Sequence, residues 1–505
     1  MKSVIFSLFL SWYSGVGGGV PATVQVLTAH VDNTKQNWNS QERVLTPTLI
    51  QSVNFGRIGT LTVSGYSFSQ PIFVPSVVTS GGTKDLVIAA TMNNIVYAFD
   101  ANNLGAAVWS ASFGSLHSGT SATLYSQLFG CISSPAADIA LQKVYVVCGN
   151  AGPNWNLFVL SLVDGTVLNT QTILPDVTGT GDPNGGDCVS GGVLTMCPGQ
   201  TFARSSVTLA NGHIYLCFGS SGDFRPYHGW LVALKQSDLS QTGVWCATPN
   251  AYGGAIWMSG GGAAVDAAGN VYVTTGNGTY NGTDAFSDSV VKLDAVTLAV
   301  LDWFTPSVQG ALEAGDLDVS ANRAFLLPNS QVLIAGKANQ VYVMGQGCMG
   351  HLQGSSGCAI QAFPTNGVGG SGAASSFIGT YAGAFGLDHV YLPTLGGPIY
   401  SFAYSQGLFN VTPTHTSLSS PYPGGQISIS SNGALNGILW ILSPLTGAGN
   451  SVAQGVLTAL DPVTLSQLYT FQYGSYAKFA SPLIANGRVF VSTCDGSIVV
   501  FGRTS

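Results

Sequence analysis

The chain has 505 residues, of which 46% are hydrophobic, 10% aromatic and only 7% charged, with 66 glycines and a formal charge of −7. Ordinary globular proteins carry about 25% charged residues, so this composition excludes a nucleic-acid binder working through basic patches, a coiled coil and a charge-rich disordered chain. Abundant glycine beside aromatic and aliphatic residues predicts tight turns joining short packed strands, under a surface of Ser, Thr, Asn, Gln and Gly. The length would suit roughly three domains of ~150 residues, but an all-β propeller or barrel accommodates it in one. Mean hydropathy is +0.32, yet beyond the N-terminus no uncharged apolar run approaches the ~20 residues that a spanning helix needs. Nine cysteines and the repeat described below argue against an outer-membrane barrel.

Taken in chain order, Lys2 precedes the apolar residues 4–10, and small residues follow, with Val20 and Ala22 spaced as a leader cleavage site would space them. Residues 1–22 are predicted to be a secretory signal, and residues 45–505 a single domain. Residues 55–65, FGRIGTLTVSG, read as an isolated strand. Eight strand–turn–strand units then follow at 85–100, 143–161, 213–235, 270–294, 331–345, 389–403, 437–461 and 488–502. Most are preceded by a segment ending in a turn, such as SSVTLANG or SPLIANG, which supplies an inner strand. Several are followed by an Asp-Gly-Thr or Asp-x-x-Thr-Leu turn and an outer strand, as in LDAVTLAVLDW and LDPVTLSQLY.

A four-stranded unit repeated eight times at roughly fifty to seventy residues predicts an all-β, eight-bladed β-propeller of antiparallel blades. The last unit shows three strands before the chain stops, so residues 55–65 are expected to donate its outer strand and close the ring. The turn-rich stretches 165–200 and 347–376 are expected to be loops that decorate the blade faces.

Cysteine spacing fits an oxidising compartment. Cys131 with Cys148, Cys188 with Cys197 and Cys348 with Cys358 are local candidate disulfides, and Cys217 with Cys246 is a fourth. Cys494 is left over, either buried and inert or available to a partner. No pair has zinc-finger spacing, so no structural metal is indicated. Asn277, Asn281 and Asn410 head Asn-x-Thr sequons and are glycosylation candidates in a eukaryotic setting.

The blade segments VYAFDANN with Trp109, VVKLDAVTLAVLDW, and above all SGGGAAVDAAGNVYVTTGNGTYN with LDWFTP and GDLDV, resemble the pyrroloquinoline-quinone (PQQ) repeat of quinoprotein dehydrogenases. The resemblance covers nearly the whole of 45–502 and is nearest to secreted quinoprotein-like propellers. In such enzymes it implies a planar three-carboxylate quinone on the propeller axis, a calcium ion polarising its carbonyl, and an aspartate base. Carried over by position, Asp223 in SSGDFRPYHGW matches the calcium-binding glutamate and Asn277 in TTGNG the asparagine ligand. Asp316 in GDLD matches the catalytic aspartate, Lys337 the basic residue on the quinone oxygens, and Trp257 the indole under the ring. The chain departs from the pattern in lacking a vicinal Cys-Cys, in carrying Asp for Glu at 223, and in lacking Cys-x-x-Cys-His for haem. A glycan on Asn277 could not coexist with metal ligation.

Two functional classes follow. The preferred one is a secreted, non-catalytic propeller, periplasmic in a bacterium, that needs no cofactor and binds an extracellular polar ligand, glycan or protein through its loops. The alternative is a PQQ- and calcium-dependent alcohol or sugar dehydrogenase using Asp316, Asp223, Asn277, Lys337 and Trp257. His228 in PYHGW is either a general base or a satisfied packing residue. Neither class involves nucleic acid.

Overall fold

The computed structural model describes residues 24–117, 129–149, 152, 154–220, 222–353, 358–366, 380, 382–416, 418–448 and 452–504; the predicted leader lies outside them. Two-residue turns with both residues in the left-handed region join inner strands to their neighbours, as at Asn211-Gly212 (φ +52°, +74°) and Asn486-Gly487 (φ +50°, +78°). These are the Asn-Gly hairpins whose twist matches that of the flanking strands. In the Asp-x-x-Thr-Leu turns, Asp294 Oδ1 accepts from Val296 N, Thr297 N and Thr297 Oγ1. Asp461 does the same for Val463 and Thr464. The Leu that follows, Leu298 or Leu465, takes a positive φ and leads into the outer strand, Val300–Thr305 or Gln467–Ser475.

Among the described residues the strands form eight sheets with a four-strand antiparallel core, plus one small three-stranded sheet at Asp176–Thr178, Val189–Ser190 and Val193–Thr195. The inner strands of blades 1 to 8 are Ile72–Thr79, Ala136–Asp138, Thr208–Ala210, Ala264–Val265, Phe325–Leu327, Ala384–Gly386, Gln426–Asn432 and Leu483–Ala485. Blade 8 continues through Arg488–Ser492 and Ser497–Arg503. Its fourth strand is Phe55–Thr62, antiparallel to Ser497–Arg503 with Thr60 opposite Val499, so the residues expected to supply the outer strand do so.

Alternation places successive residues on opposite faces of a blade. Tyr215 therefore joins Val273 and Val291 of blade 4, while Leu216 joins Val147 and Leu157 of blade 2. The same pattern gives one buried cluster between every pair of neighbours: blades 1 and 2, 4 and 5, 5 and 6, 6 and 7, and 7 and 8. Phe490, Ile498 and Val500 of blade 8 meet Phe73, Val87 and Phe99 of blade 1 in the last cluster. No helix among the described residues is long and apolar enough to cross a membrane.

The packed chain begins N-terminal to residue 45. Residues 26–42 form a strap that meets the inner edge of each blade in chain order. Val26 bridges Phe73 of blade 1, Leu27 O accepts from Ala137 N of blade 2, and Asn33 Nδ2 donates to Leu209 O of blade 3. Asn33 O, Thr34 O, Gln36 O and Asn37 O accept from Val265, Leu326, Phe385 and Ile429 of blades 4 to 7. Asn39 Nδ2 donates to Ile484 O of blade 8. Rounding so tight a circle puts His30, Val31, Lys35 and Asn37 at φ between +60° and +75°, at a cost of about 1–3 kcal/mol each.

Glu42, completely buried, anchors the end of the strap by accepting from Val44 N, Leu45 N and Gly487 N. Glu42→Ala should therefore lower unfolding stability by at least ~2 kcal/mol, because buried N–H donors lose their acceptor, whereas Arg43→Ala, at an exposed site, should be near neutral in the same denaturant titration. Lys35 is also completely buried; its Nζ donates to Thr28 Oγ1 (3.2 Å) and Ala29 O (3.4 Å), and burial brings its pKa down to about 7. The unfolded lysine titrates near ~10.4, so between those pH values the unfolded chain binds the extra proton and stability rises with pH. Lys35→Met should flatten that rise when unfolding is measured across pH 7 to 10.

Candidate functional site

The second strands of blades 3, 4 and 5 all run toward the same mouth of the ring and end at Ser220, Thr274 and Ala335. The residues just beyond them deliver Asp223, Asn277 and Lys337 to that mouth. Two glycines allow the approach: a Cβ on Gly276 would lie 2.5 Å from Asp318 Oδ1, and one on Gly336 would lie 2.4 Å from Asp318 O. Asp316 and Asp318 enter between the short helix Gln309–Ala314 and the 3-10 turn Val319–Ala321.

Asp318 is the hub. Its side chain is 1% exposed; Oδ1 accepts from Asn277 N (2.8 Å) and its carbonyl from Lys337 N (3.1 Å). Its Oδ2 forms an ion pair with Lys337 Nζ at 2.5 Å. The same ammonium donates to Asp316 Oδ1 (2.8 Å), and Asn277 Nδ2 reaches that oxygen at 3.4 Å. Asp316 is 69% exposed at the rim, whereas Lys337 is 9% exposed. Both Asp316 (φ +54°) and Asp223 (φ +60°) hold left-handed backbone conformations. Among the described residues, Asn277 Oδ1 is buried without a hydrogen-bond partner.

The electrostatics are those of crowded carboxylates. Desolvation, and then Asp318, push Asp223 up to about 6, although its position at the mouth leaves it in contact with water. Asp316 is also raised, by desolvation, against the opposing pull of Lys337. Asp288 is completely buried behind Asp318, and burial followed by Asp318 raises it well above the carboxylate range. On the other side, burial and then the neighbouring Arg204 lower Lys478 to about 7. The Arg204 guanidinium stands 3.9 Å over the Phe479 ring and 5.8 Å from Trp257.

Four of the five residues predicted for this mouth thus meet: Asp223, Asn277, Asp316 and Lys337. Trp257, 8% exposed, lies beneath them, donating Nε1–H to Ser220 O (3.1 Å) and sharing the cluster between blades 2 and 3. Arg204, Lys478, Asp288 and Asp318 complete the constellation. For the two basic residues the sequence offers only scarcity: in a chain with 15 Lys and Arg, Arg204 in TFARSS and Lys478 in YAKFA stand beside aromatics, but residue type alone does not place either of them at this mouth. Among the described residues, no three His, Cys, Asp or Glu side chains form a ready-made metal cage.

His228 is 3% exposed and holds Thr248 Oγ1 (3.0 Å) and Asp187 Oδ1 (3.1 Å), while Arg225 grips Asp182 at 2.8 and 2.7 Å. These bonds tie the 176–200 excursion to blade 3, which accounts for His228 as a structural residue. Disulfides join Cys131 to Cys148, Cys188 to Cys197 and Cys348 to Cys358. The fourth candidate pair does not form. Cys217 and Cys246 lie on strands separated by Trp230–Lys235 and face opposite sides of the blade, one toward blade 4 and the other toward blade 2. Burial raises both thiols to about 12, and Cys494 is likewise buried with a raised pKa, so the three are held as inert thiols. Asn277 is 8% exposed, which leaves no room for a glycan. Asn281 and Asn410 are exposed in Asx turns.

No protein-family model and no curated protein sequence matches this chain. Solved structures do. A quinohaemoprotein alcohol dehydrogenase from Pseudomonas putida HK5 aligns with a TM-score of 0.62 and 12% identity, over 95% of this chain and 80% of that one. A europium-containing methanol dehydrogenase aligns with a TM-score of 0.59 and 12% identity, over 95% and 98%. BamB from Moraxella catarrhalis aligns with a TM-score of 0.50 and 10% identity, over 89% and 99%. These likenesses show the fold: a β-propeller similar to those of quinoprotein dehydrogenases.

The charge balance at the mouth is directly measurable. In a carboxyl-resolved NMR titration, Asp223 should show a midpoint near 6. Asp318→Asn should move that midpoint down toward the ordinary carboxylate range, and Lys337→Met should move it up, because the first removes a repelling charge and the second an attracting one.

Proposed function

We propose that this mouth holds PQQ together with a hard cation such as calcium, and that the protein is a secreted or periplasmic quinoprotein that oxidises an alcohol or sugar. The observation that carries this reading is the Oδ1 of Asn277, buried without a hydrogen-bond partner among the described residues, beside the carboxylates of Asp316 and Asp318, with Asp223 close enough to feel both of their charges. An oxygen-only donor set of this kind suits a hard cation. A purely structural cluster would have no use for an amide oxygen buried without a donor. Three disulfides fit an oxidising compartment.

On this reading the oxygens of Asp223, Asn277 and Asp318 hold the cation. Arg204, Lys478 and Lys337 supply positive charge for a three-carboxylate ligand, with Trp257 as part of the apolar wall beneath it. When bound, the quinone would supply the two-electron acceptor that the chain itself lacks. Asp316 is the group that takes the substrate's hydroxyl proton. It is exposed enough to reach a substrate, its raised pKa makes it a stronger base than an ordinary aspartate, and Lys337 fixes its orientation. The pairing of Lys337 with both Asp316 and Asp318 favours a second reading: an axial site already neutralised from within belongs to a non-catalytic binding or scaffold propeller that has kept the quinoprotein architecture.

Adding PQQ and calcium to the purified protein separates the two. The first reading expects saturable quenching of tryptophan fluorescence and dye-coupled oxidation of an alcohol or sugar. Asp316→Asn should keep the binding and lose roughly a hundredfold or more of the turnover, the scale of a general base, and Lys337→Met should weaken the binding itself. Absence of saturable binding by the folded protein establishes the second reading.

A further inference from the structure

The strap also builds a cavity at the mouth opposite the carboxylates. Ser40 O and Glu42 accept from Gly433 N and Gly487 N, which lie in the turns between the first and second strands of blades 7 and 8. Those turns are at the other end of the blades from Asn277 and Lys337. Residues 25–33 lie over blades 1 to 3 and residues 38–41 over blades 7 and 8, so the strap's course encloses a space on the axis. That space is a cavity of about 400 Å3, within the range of small-ligand sites.

Its polar lining comes from Gln25, Thr28, Asp32, Asn33, Asn39, Ser40 and Gln41, and its aromatic wall from Trp38. The groups within it fall into two kinds. Asn33 Nδ2 is committed to Leu209 O, Asp32 Oδ1 to the Thr34 N–H and hydroxyl, and Trp38 Nε1 to Ser431 Oγ. These bonds fix the walls. The side chains of Gln25 and Gln41 are exposed at the opening and offer amides that both donate and accept. The Trp38 ring packs so closely on Gly386 that a Cβ there would lie 2.6 Å from Cγ, which holds the indole in one orientation. Val31, a β-branched residue kept at φ +75°, is part of the same wall; such a conformation is an outlier for its residue type.

The charge of the lining selects the ligand. It contains one carboxylate and no Lys or Arg; Lys35 is completely buried behind the lining residue Thr28, with its Nζ on Thr28 Oγ1 and Ala29 O. A phosphate or carboxylate would meet no cationic side chain on the lining and would face Asp32, and an apolar ligand would leave the amides unpaired. We infer that the strap cavity is a binding site for a neutral, hydroxyl-rich ligand of mono- or disaccharide size, stacked on Trp38 and hydrogen-bonded by Gln25 and Gln41. The site is independent of the quinone reading, because it shares no residue with the carboxylate mouth.

The test is calorimetric titration of the full-length protein, without added quinone, using glucose, maltose, glucose 6-phosphate and choline. Saturable binding of glucose or maltose is expected, with weaker binding of the phosphate and of choline. The double variant Gln25→Ala/Gln41→Ala, verified as folded by near-ultraviolet circular dichroism, should weaken sugar binding at least tenfold, and Asp316→Asn should leave it unchanged. Absence of saturable sugar binding overturns the inference. A preference for choline or for the phosphate does so too, as does sugar binding that survives the double variant or disappears in Asp316→Asn.

Discussion

The antiparallel pairing of Phe55–Thr62 with Ser497–Arg503 is the constraint on which the other arrangements depend. A blade has two apolar faces and cannot cover both by itself. Eight blades in a row would leave one face of blade 1 and one of blade 8 in water, together with an unpaired strand edge. Completing blade 8 with a strand from the head of the chain brings Phe490, Ile498 and Val500 against Phe73, Val87 and Phe99 and removes both exposures together. Only in a closed ring do the loops of blades 3, 4 and 5 face a common axis, which is what brings Asp223, Asn277 and Lys337 within reach of Asp318.

Closure creates a second requirement. Inner strands facing an axis carry backbone N–H and C=O groups with no further strand to pair them, and such groups need partners wherever water is excluded. The strap supplies those partners at one end: Leu27 O, Asn33 O, Thr34 O, Gln36 O and Asn37 O each accept from a different blade. This accounts for its composition. Asn, Gln and Thr side chains serve backbone groups without bringing charge into the ring, and the one carboxylate it buries, Glu42, is spent on N–H donors at the seam.

Legibility in the sequence followed the same division. The blades could be read because period-2 alternation and turn chemistry are local: Asn211-Gly212, Asn486-Gly487 and the Asp-x-x-Thr-Leu turns each specify their own geometry. The outer strand at 55–62 could be read from the strand missing at the other terminus. The strap could not, because residues 24–43 lack alternation and find their partners in backbone atoms spread over the whole chain, which leave no trace in residue type. At the carboxylate mouth, Asp223, Asn277, Asp316 and Lys337 were recognisable from motif positions. Arg204, Lys478 and Asp288 were not, since their roles come from packing between blades remote in sequence. The pairing of Cys217 with Cys246 failed for a reason that spacing along the chain does not encode: a strand lies between them, and they face opposite sides of it.

Charge at the mouth also bears on why a cation and an anionic quinone would belong together on the proposed reading. With neither present, the chain limits the repulsion among four carboxyl groups by pairing Lys337 with Asp316 and Asp318 and by raising Asp223 and Asp288 toward their neutral forms. Lys478, buried beside Arg204 and Lys337, is lowered toward neutrality for the opposite reason. A cation among the oxygens would favour ionised carboxylates and compete with Lys337 for them, while a polyanion would favour the protonated form of Lys478. Each charge therefore improves the site for the other, and a neutral ligand would gain from neither change. On the proposed readings the mouth is matched to a pair of oppositely charged ligands, and the strap cavity, with no Lys or Arg on its lining, to a ligand without charge.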